Sequence, residues 1–278
     1  MSVRIHKAVH KIINKNGASI WLPANIIGAS WMNLAIPDIH VTDSVQRYPL
    51  GTKLEFADGR VFRYCKASSS GIGYTARLVA NGWRIAEDDT DGFTGYVYKA
   101  IVAGDETVEI ADEVSRAENY YEGGYFGYSP AGGQYITHRI CGSEAGDGTS
   151  VLLYLDDPLR SALAVSSREC KASPCMFGNC IGGLTQQQWK SFVCVNQVAV
   201  TASHYFWGQT RGPCYLVNYG DGASECGGTI NYRAVYGMVT DGSICDQAST
   251  PTGYQLVGYV IPVTKSGYGD TLIQLMLE

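Results

Sequence analysis

The sequence predicts a mainly β protein: an antiparallel sandwich- or barrel-like body, an N-terminal helical arm and one or two short helices. Three observations carry this. Short apolar segments follow one another from residue 134 onward: QYITHRI, VLLYL, QVAVT, YFWGQ, CYLVN, NYRAVYGMV, YQLVGYVIPV and TLIQLML, with turn clusters between them. The 278 residues include 33 Gly and 19 Tyr, which suits many strands joined by tight turns. The first seventeen residues, by contrast, repeat their apolar positions at helical spacing.

That opening stretch is MSVRIHKAVHKIINKNG. Ile5, Ala8, Val9, Ile12 and Ile13 recur at i, i+3, i+4, i+7, i+8, and Asn16-Gly17 reads as a helix stop. Arg4, Lys7, Lys11 and Lys15 fall on another face. The stretch holds four cations and no acid, so a net charge of −5 overall leaves −9 on the rest. It fits a targeting presequence, a membrane-surface helix, an arm docking on an acidic partner or oligomer, or an ordinary helix with a solvated basic face. Residues 18–40 read as a connector, so 1–40 forms an arm. Residues 41–278 form the body, which could comprise two β subdomains, 41–103 and 123–278.

Residues 52–65 predict a hairpin. Asp58-Gly59 supplies the turn between a strand over 52–56 and another over 61–65. A two-residue loop would set Leu54 opposite Arg63. A three-residue loop with Gly59 in the left-handed region puts Leu54, Phe56, Phe62 and Tyr64 on one face, with Glu55 facing Arg63 on the other. Register follows the buried face, so the three-residue loop and a half-buried hairpin are expected. GYVYKAIV (95–102) is a further strand candidate. Ile110, Val114, Ala117 and Tyr121 suggest a helix near 107–121 linking the two subdomains, and LTQQQWKSF (184–192) another short helix.

Composition narrows the function classes. Hydrophobic residues make up 45% and charged ones 17%, enough for a large core. The acidic balance argues against nucleic acid as partner, and no apolar run reaches membrane-spanning length. No secretory h-region and no Asn-x-Ser/Thr sequon is present. The nine Cys read mostly as buried small hydrophobes. Cys170, Cys175 and Cys180, with Cys194 as a fourth, lack the pairwise spacing of a zinc site, so no metal and no cofactor are expected.

Other motifs fall short of their chemistry. Gly71-Ile-Gly73-Tyr-Thr-Ala76 matches a dinucleotide fingerprint but opens no βαβ unit, so it reads as loop glycines. Glu87–Gly92 begins like a calcium loop, yet position twelve is Tyr98 where a bidentate Glu is needed. Gly222-Ala-Ser224-Glu-Cys226 misses the nucleophile elbow by one residue. His138 and His204 sit in aromatic, strand-like stretches and read as structural. Asp156-Asp157-Pro158 reads as a turn. No catalytic residue is assigned. The run YYEGGYFGYSP places Tyr120, Tyr121, Tyr125, Phe126 and Tyr128 together, either as an exposed glycan or protein contact surface or as core.

Two stretches carry a resemblance. QRYPLGTK…DGRVFRYCKA (46–67) resembles an N-terminal signature of virion structural proteins of tailed bacteriophages, of the capsid decoration or cement type. VGYVIPV…TLIQLML (257–277) looks like the closing strand pair of such proteins, and YFWGQTRGPCYLV (205–217) is similar to their middle strands. The resemblance implies a non-enzymatic protein of the virion that binds the major capsid protein on the outside of the shell, as a homotrimer, without nucleic acid or membrane. Arg4, Ile5, Lys7, Val9, Lys11, Ile12 and Lys15 of the basic helix are then the expected capsid anchor. The alternatives are a tail or fibre protein contacting host glycans through the tyrosine run, and a hydrolase acting on host-surface polymers.

Overall fold

The protein is described by a computed structural model over residues 10–23, 36–83, 91–130, 134–165, 170–183, 190–219, 226, 233–238, 240–246, 254–261 and 270–278. Twenty strands run along the described residues. They begin with β1 His10–Lys15, β2 Ala18–Pro23, β3 Lys53–Phe56, β4 Val61–Lys66, β5 Arg77–Asn81, β6 Phe93–Gly95 and β7 Thr107–Ile110. Next come β8 Ser115–Arg116, β9 Tyr125–Tyr128, β10 Ile136–Ser143, β11 Gly146–Asp147, β12 Val151–Leu155 and β13 Cys170–Ser173. The last are β14 Cys180–Gly182, β15 Phe192–Asn196, β16 Tyr205–Leu216, β17 Ala234–Gly237, β18 Ile244–Cys245, β19 Leu256–Val260 and β20 Thr271–Met276. The named strand pairs are antiparallel, and no helix occurs among the described residues.

The expected N-terminal helix is therefore corrected where it can be seen. Residues 10–15 form β1, which continues into β2 through Asn16-Gly17. Both turn residues have positive φ, 48° and 75°, the signature of a two-residue type I′ hairpin. Asn-Gly is a hairpin signal as well as a helix stop. The alternation of β2 decides between them, because Ala18, Ile20 and Leu22 are buried while Ser19 and Trp21 are not. Residues 1–9 lie outside the described part. The helix expected near 107–121 is likewise absent. Val108 and Ile110 are buried in β7, and the chain then turns through β8 and Asn119, whose φ is 60°. Of 184–192, the described end, 190–192, leads into β15 without helix.

The chain divides into two compact units. One comprises Met1–Lys11, Pro23–Met32 and Trp83–Met176. Its sheet runs β6-β13-β9-β10-β12-β7, with β8 and β11 paired separately. Its core is built by Phe93, Ile110, Tyr121, Phe126, Ile140 and Leu153, among others. Asp112 and Arg116 are buried beside it and joined by an ion pair of 2.8 Å. Only Gly95 of the expected strand GYVYKAIV falls in a strand. Val97 and Ile101 are buried but make single bridges to Ile110 and Leu163.

The other unit comprises Ile12–Leu22, Asn33–Gly82 and Phe177–Glu278. Its sheet forks at β16. On one side β4 pairs with residues 205–211 and leads to β3, β2 and β1. On the other, β15 lies against the first half of β16 and passes to β5 and β14, while β20 lies against residues 211–216 and passes to β19, β17 and β18. Pro213 is accommodated because the β4 pairing ends at Arg211, which leaves its stretch of β16 paired on one side only.

The 52–65 hairpin has the expected register. Leu54 pairs with Phe62, and the loop Ala57-Asp58-Gly59 closes through Phe56 N donating to Arg60 O at 2.9 Å, with Gly59 at φ 86°. No atom lies near a Cβ at Gly59, so Gly59→Ala isolates the left-handed backbone cost. A loss of about 1 kcal/mol is expected in a urea melt. Two expectations are corrected. Arg63 stands opposite Lys53 and binds Glu278 at 2.5 Å instead of facing Glu55, which pairs with Lys53. The hairpin is also not half-buried: Val61 and Cys65 on the second face of β4 are as buried as Phe62 and Tyr64 on the first.

Arg77 on β5 holds Asp241, which also accepts from the Ser243 hydroxyl and amide. Burial works against the Asp241 carboxylate, but Ser243 and Arg77 outweigh it and lower its pKa. A carboxylate lowered in the folded state stabilises above its unfolded pKa of about 3.9, and that stability is lost as pH falls through the folded value. Asp241→Asn is therefore expected to flatten the acid limb of stability below about pH 4, checked by urea melts across that range.

Candidate functional site

Three thiols meet inside the forked sheet. Cys65 lies on β4, Cys180 on β14 and Cys194 on β15, and all three are fully buried. Their sulfurs all lie within 4.8 Å of one another, and Cys65 Sγ is 3.9 Å from Cys194 Sγ. The pairing scheme explains the convergence. Cys194 and Cys180 lie on the two strands that flank β5, opposite Val79 and Asn81. A parallel bridge from Ala67 to Cys180, with Ser68 N donating to Cys180 O at 2.8 Å, brings the end of β4 to the same point.

Gly208 on β16 makes the room. A Cβ there would overlap Cys194 Sγ and stand 3.2 Å from Cys65 Sγ. The surrounding side chains are apolar and include Ile72, Val79, Val193, Val200 and Phe206. Burial raises the pKa of Cys65 and Cys194 well above the ordinary thiol value. Cys180 is shifted the other way, downward, because Cys194 and Cys65 both hydrogen-bond to its sulfur and outweigh burial.

The zinc grouping weighed from sequence is not the one that forms. Cys180 and Cys194 meet Cys65, whereas Cys170 bonds Gly95 O within the other unit, at 3.3 Å. Eight of the nine cysteines are buried, as small apolar residues would be. Strand pairing, and no sequence spacing, links Cys65 to the other two. The one legible sign was that each of the three sits in a β-like run: VFRYCKA, NCIG and FVCVN.

The second feature is the outward face of β16, β20 and β19. Cys214, Leu216, Ile273, Leu275 and Val260 point into the core. The alternate residues point out, and Tyr215 stands directly opposite Leu272. Tyr215 is 56% exposed, Met276 54%, Tyr259 48% and Leu272 43%. Pro213 is exposed in the same row.

The residues singled out from sequence fall as follows. Arg4, Ile5, Lys7 and Val9 lie outside the described part. Lys11, Ile12 and Lys15 lie in β1, with Ile12 and Lys15 exposed. Of the aromatic run, Tyr121, Phe126 and Tyr128 are core, Tyr120 is partly buried against it, and Tyr125 is exposed. His138 is buried, stacks on Tyr128 and pairs its Nδ1 with Asp157 Oδ1 at 2.8 Å. A catalytic base needs a nucleophile at its outer nitrogen, and His138 Nε2 has no hydrogen-bond partner among the described residues. Gly71 and Ala76 carry positive φ in a loop that bridges to Val200, so Gly71–Ala76 opens no helix. Ser224 and most of 87–92 lie outside the described part. No protein-family model, no curated protein and no solved structure matches this chain.

Proposed function

We propose that this protein is a non-enzymatic virion component, a decoration protein that binds the major capsid protein on the outer surface of a phage shell and stabilises it, as a homotrimer. One observation carries the reading. The three stretches that resemble such proteins are far apart in sequence, yet they supply adjacent strands of one sheet, β3-β4-β16-β20-β19. The outward side of that sheet carries the apolar row of Tyr215, Leu272, Tyr259 and Met276. Exposed apolar patches of this kind mark interaction surfaces. This reading assigns the contact to that apolar row. Binding only to the assembled shell would stabilise it by mass action, with no activated group required.

Quantitative mass spectrometry of purified virions from the source culture tests the reading. Hundreds of copies per particle are expected, and absence from the virion would overturn it. Replacing Tyr215 and Leu272 together by Thr, a polar residue that strands favour, should leave folding stability within about 1 kcal/mol, as two surface changes. If the row is a contact centre, the same variant lowers capsid occupancy more than tenfold, at about 2 kcal/mol or more per anchor.

A second reading, a tail or fibre protein binding glycans, is favoured by a cavity of about 410 Å³ on the other unit. Tyr128, Tyr135, Thr137 and Lys171 line it, and Tyr135 is 89% exposed. A handful of copies per virion, with glycan-array binding lost on Tyr135→Ala, would select this reading.

A further inference from the structure

We propose that Cys65, Cys180 and Cys194 bind one zinc ion that ties β4, β14 and β15 together. The three sulfurs converge from strands that pairing alone brings together, and they form a closed triangle within 4.8 Å. A zinc–sulfur bond of about 2.3 Å sets bound sulfurs about 3.8–4.0 Å apart, in tetrahedral or trigonal arrangement. The Cys65–Cys194 sulfur separation is 3.9 Å. Gly208 keeps this space clear of a side chain on the neighbouring strand.

The chemistry selects the ion. Thiolates are soft ligands and choose thiophilic d¹⁰ cations, Zn²⁺ or Cu⁺, over oxygen-seeking ones. Three thiolates around Cu⁺ leave a charge of −2, and around Zn²⁺ only −1. The shell is apolar, so the smaller residual charge is strongly preferred. Binding forms three Zn–S bonds from the three sulfurs and releases to solvent whatever thiol protons they still carry, with no change of oxidation state. The site is fully buried, so the ion enters as the chain folds and not by diffusion into the finished core.

The test is refolding of the full-length reduced chain with either zinc or a chelator, followed by desalting and elemental analysis. One zinc per chain and a higher melting temperature than the chelator-treated sample are expected. Cys170→Ser, outside the cluster, should keep the zinc, and Cys180→Ser should lose it. Because Cys180→Ser can also impair folding, the wild type is refolded with cadmium as well. A sulfur-to-cadmium charge-transfer band sized for three thiolates, with protons released on binding, supports the site without any variant. No metal retained by the folded wild type would overturn the proposal, as would a disulfide mapped between two of the three cysteines. Zinc unaffected by Cys180→Ser in a folded chain would do the same, and one equivalent of copper would overturn the assignment to zinc.

Discussion

Asp112→Ala is expected to destabilise the protein by about 3–5 kcal/mol, read as a shift of the urea midpoint. Asp112 and Arg116 have side-chain exposures of 3% and 4%, so solvent screens their interaction little. Arg116 Nε donates to Asp112 Oδ2 at 2.8 Å, and the Tyr121 hydroxyl donates to the same oxygen at 2.6 Å. The guanidinium also donates to Gly92 O at 3.1 Å and lies 4.7 Å from the centre of the Tyr120 ring. Removing the carboxylate leaves a buried cation and a buried hydroxyl without their acceptor. The expected loss is the cost of that exposure to an apolar surrounding, not the net worth of the pair. Replacing both partners together, Asp112→Leu with Arg116→Met, is therefore expected to recover most of the stability. A double variant as unstable as Asp112→Ala would show that the pair contributes through packing instead of charge.

Gly208→Ala is the second large effect, a loss near the top of the 1–3 kcal/mol range for overpacking. The added Cβ would overlap Cys194 Sγ, stand 2.7 Å from Cys194 Cβ and 3.2 Å from Cys65 Sγ. All these atoms belong to fully buried residues, so no flexible end can swing away. Strands on both sides hold Gly208, opposite Arg63 on β4 and Asn196 on β15, which prevents β16 from moving outward. The backbone conformation at Gly208 is ordinary, so the effect is one of space. The contrast with Gly59→Ala, where space is free and only φ is strained, separates the two reasons for glycine in this sheet. Urea melts of both variants check it: a Gly208→Ala loss no larger than that of Gly59→Ala would refute the steric account.

Parts of this fold were legible in the chain. The register of the 52–65 hairpin followed from one rule, that Leu54 and Phe62 must share a buried face. VLLYL and TLIQLML marked β12 and β20 closely, because alternation with a buried side leaves a two-residue period. The N-terminal helix failed for an equally local reason. Ile5 to Ile13 satisfy a helical template, but the short run from 10 to 15 satisfies a strand as well, and Asn16-Gly17 closes a hairpin as readily as it caps a helix. What tipped the balance was the edge of β3, which pairs with Ala18, Ser19 and Ile20. The tyrosine run illustrates the same limit. Tyr121, Phe126 and Tyr128 became core because β9 lies between β10 and β13, and no feature of YYEGGYFGYSP reports those neighbours.

The sequence by itself determined the β class, the strands β10, β12, β16, β17, β19 and β20 and the turn chemistry, since these depend on residues within a few positions of one another, whereas QVAVT forms only a bridge at Val200 and β13, β14, β15 and β18 went unread. Only the tertiary structure decided which strands are neighbours. It set β4 beside β16, turned Val61 and Cys65 into core, and brought Cys65 to two thiols more than a hundred residues away. The physical reason is that backbone hydrogen bonds are the same for every strand, so pairing partners are chosen by the summed burial of whole faces. That sum is a property of the assembled sheet, and neither the thiol cluster nor the apolar outer row exists before the sheet does.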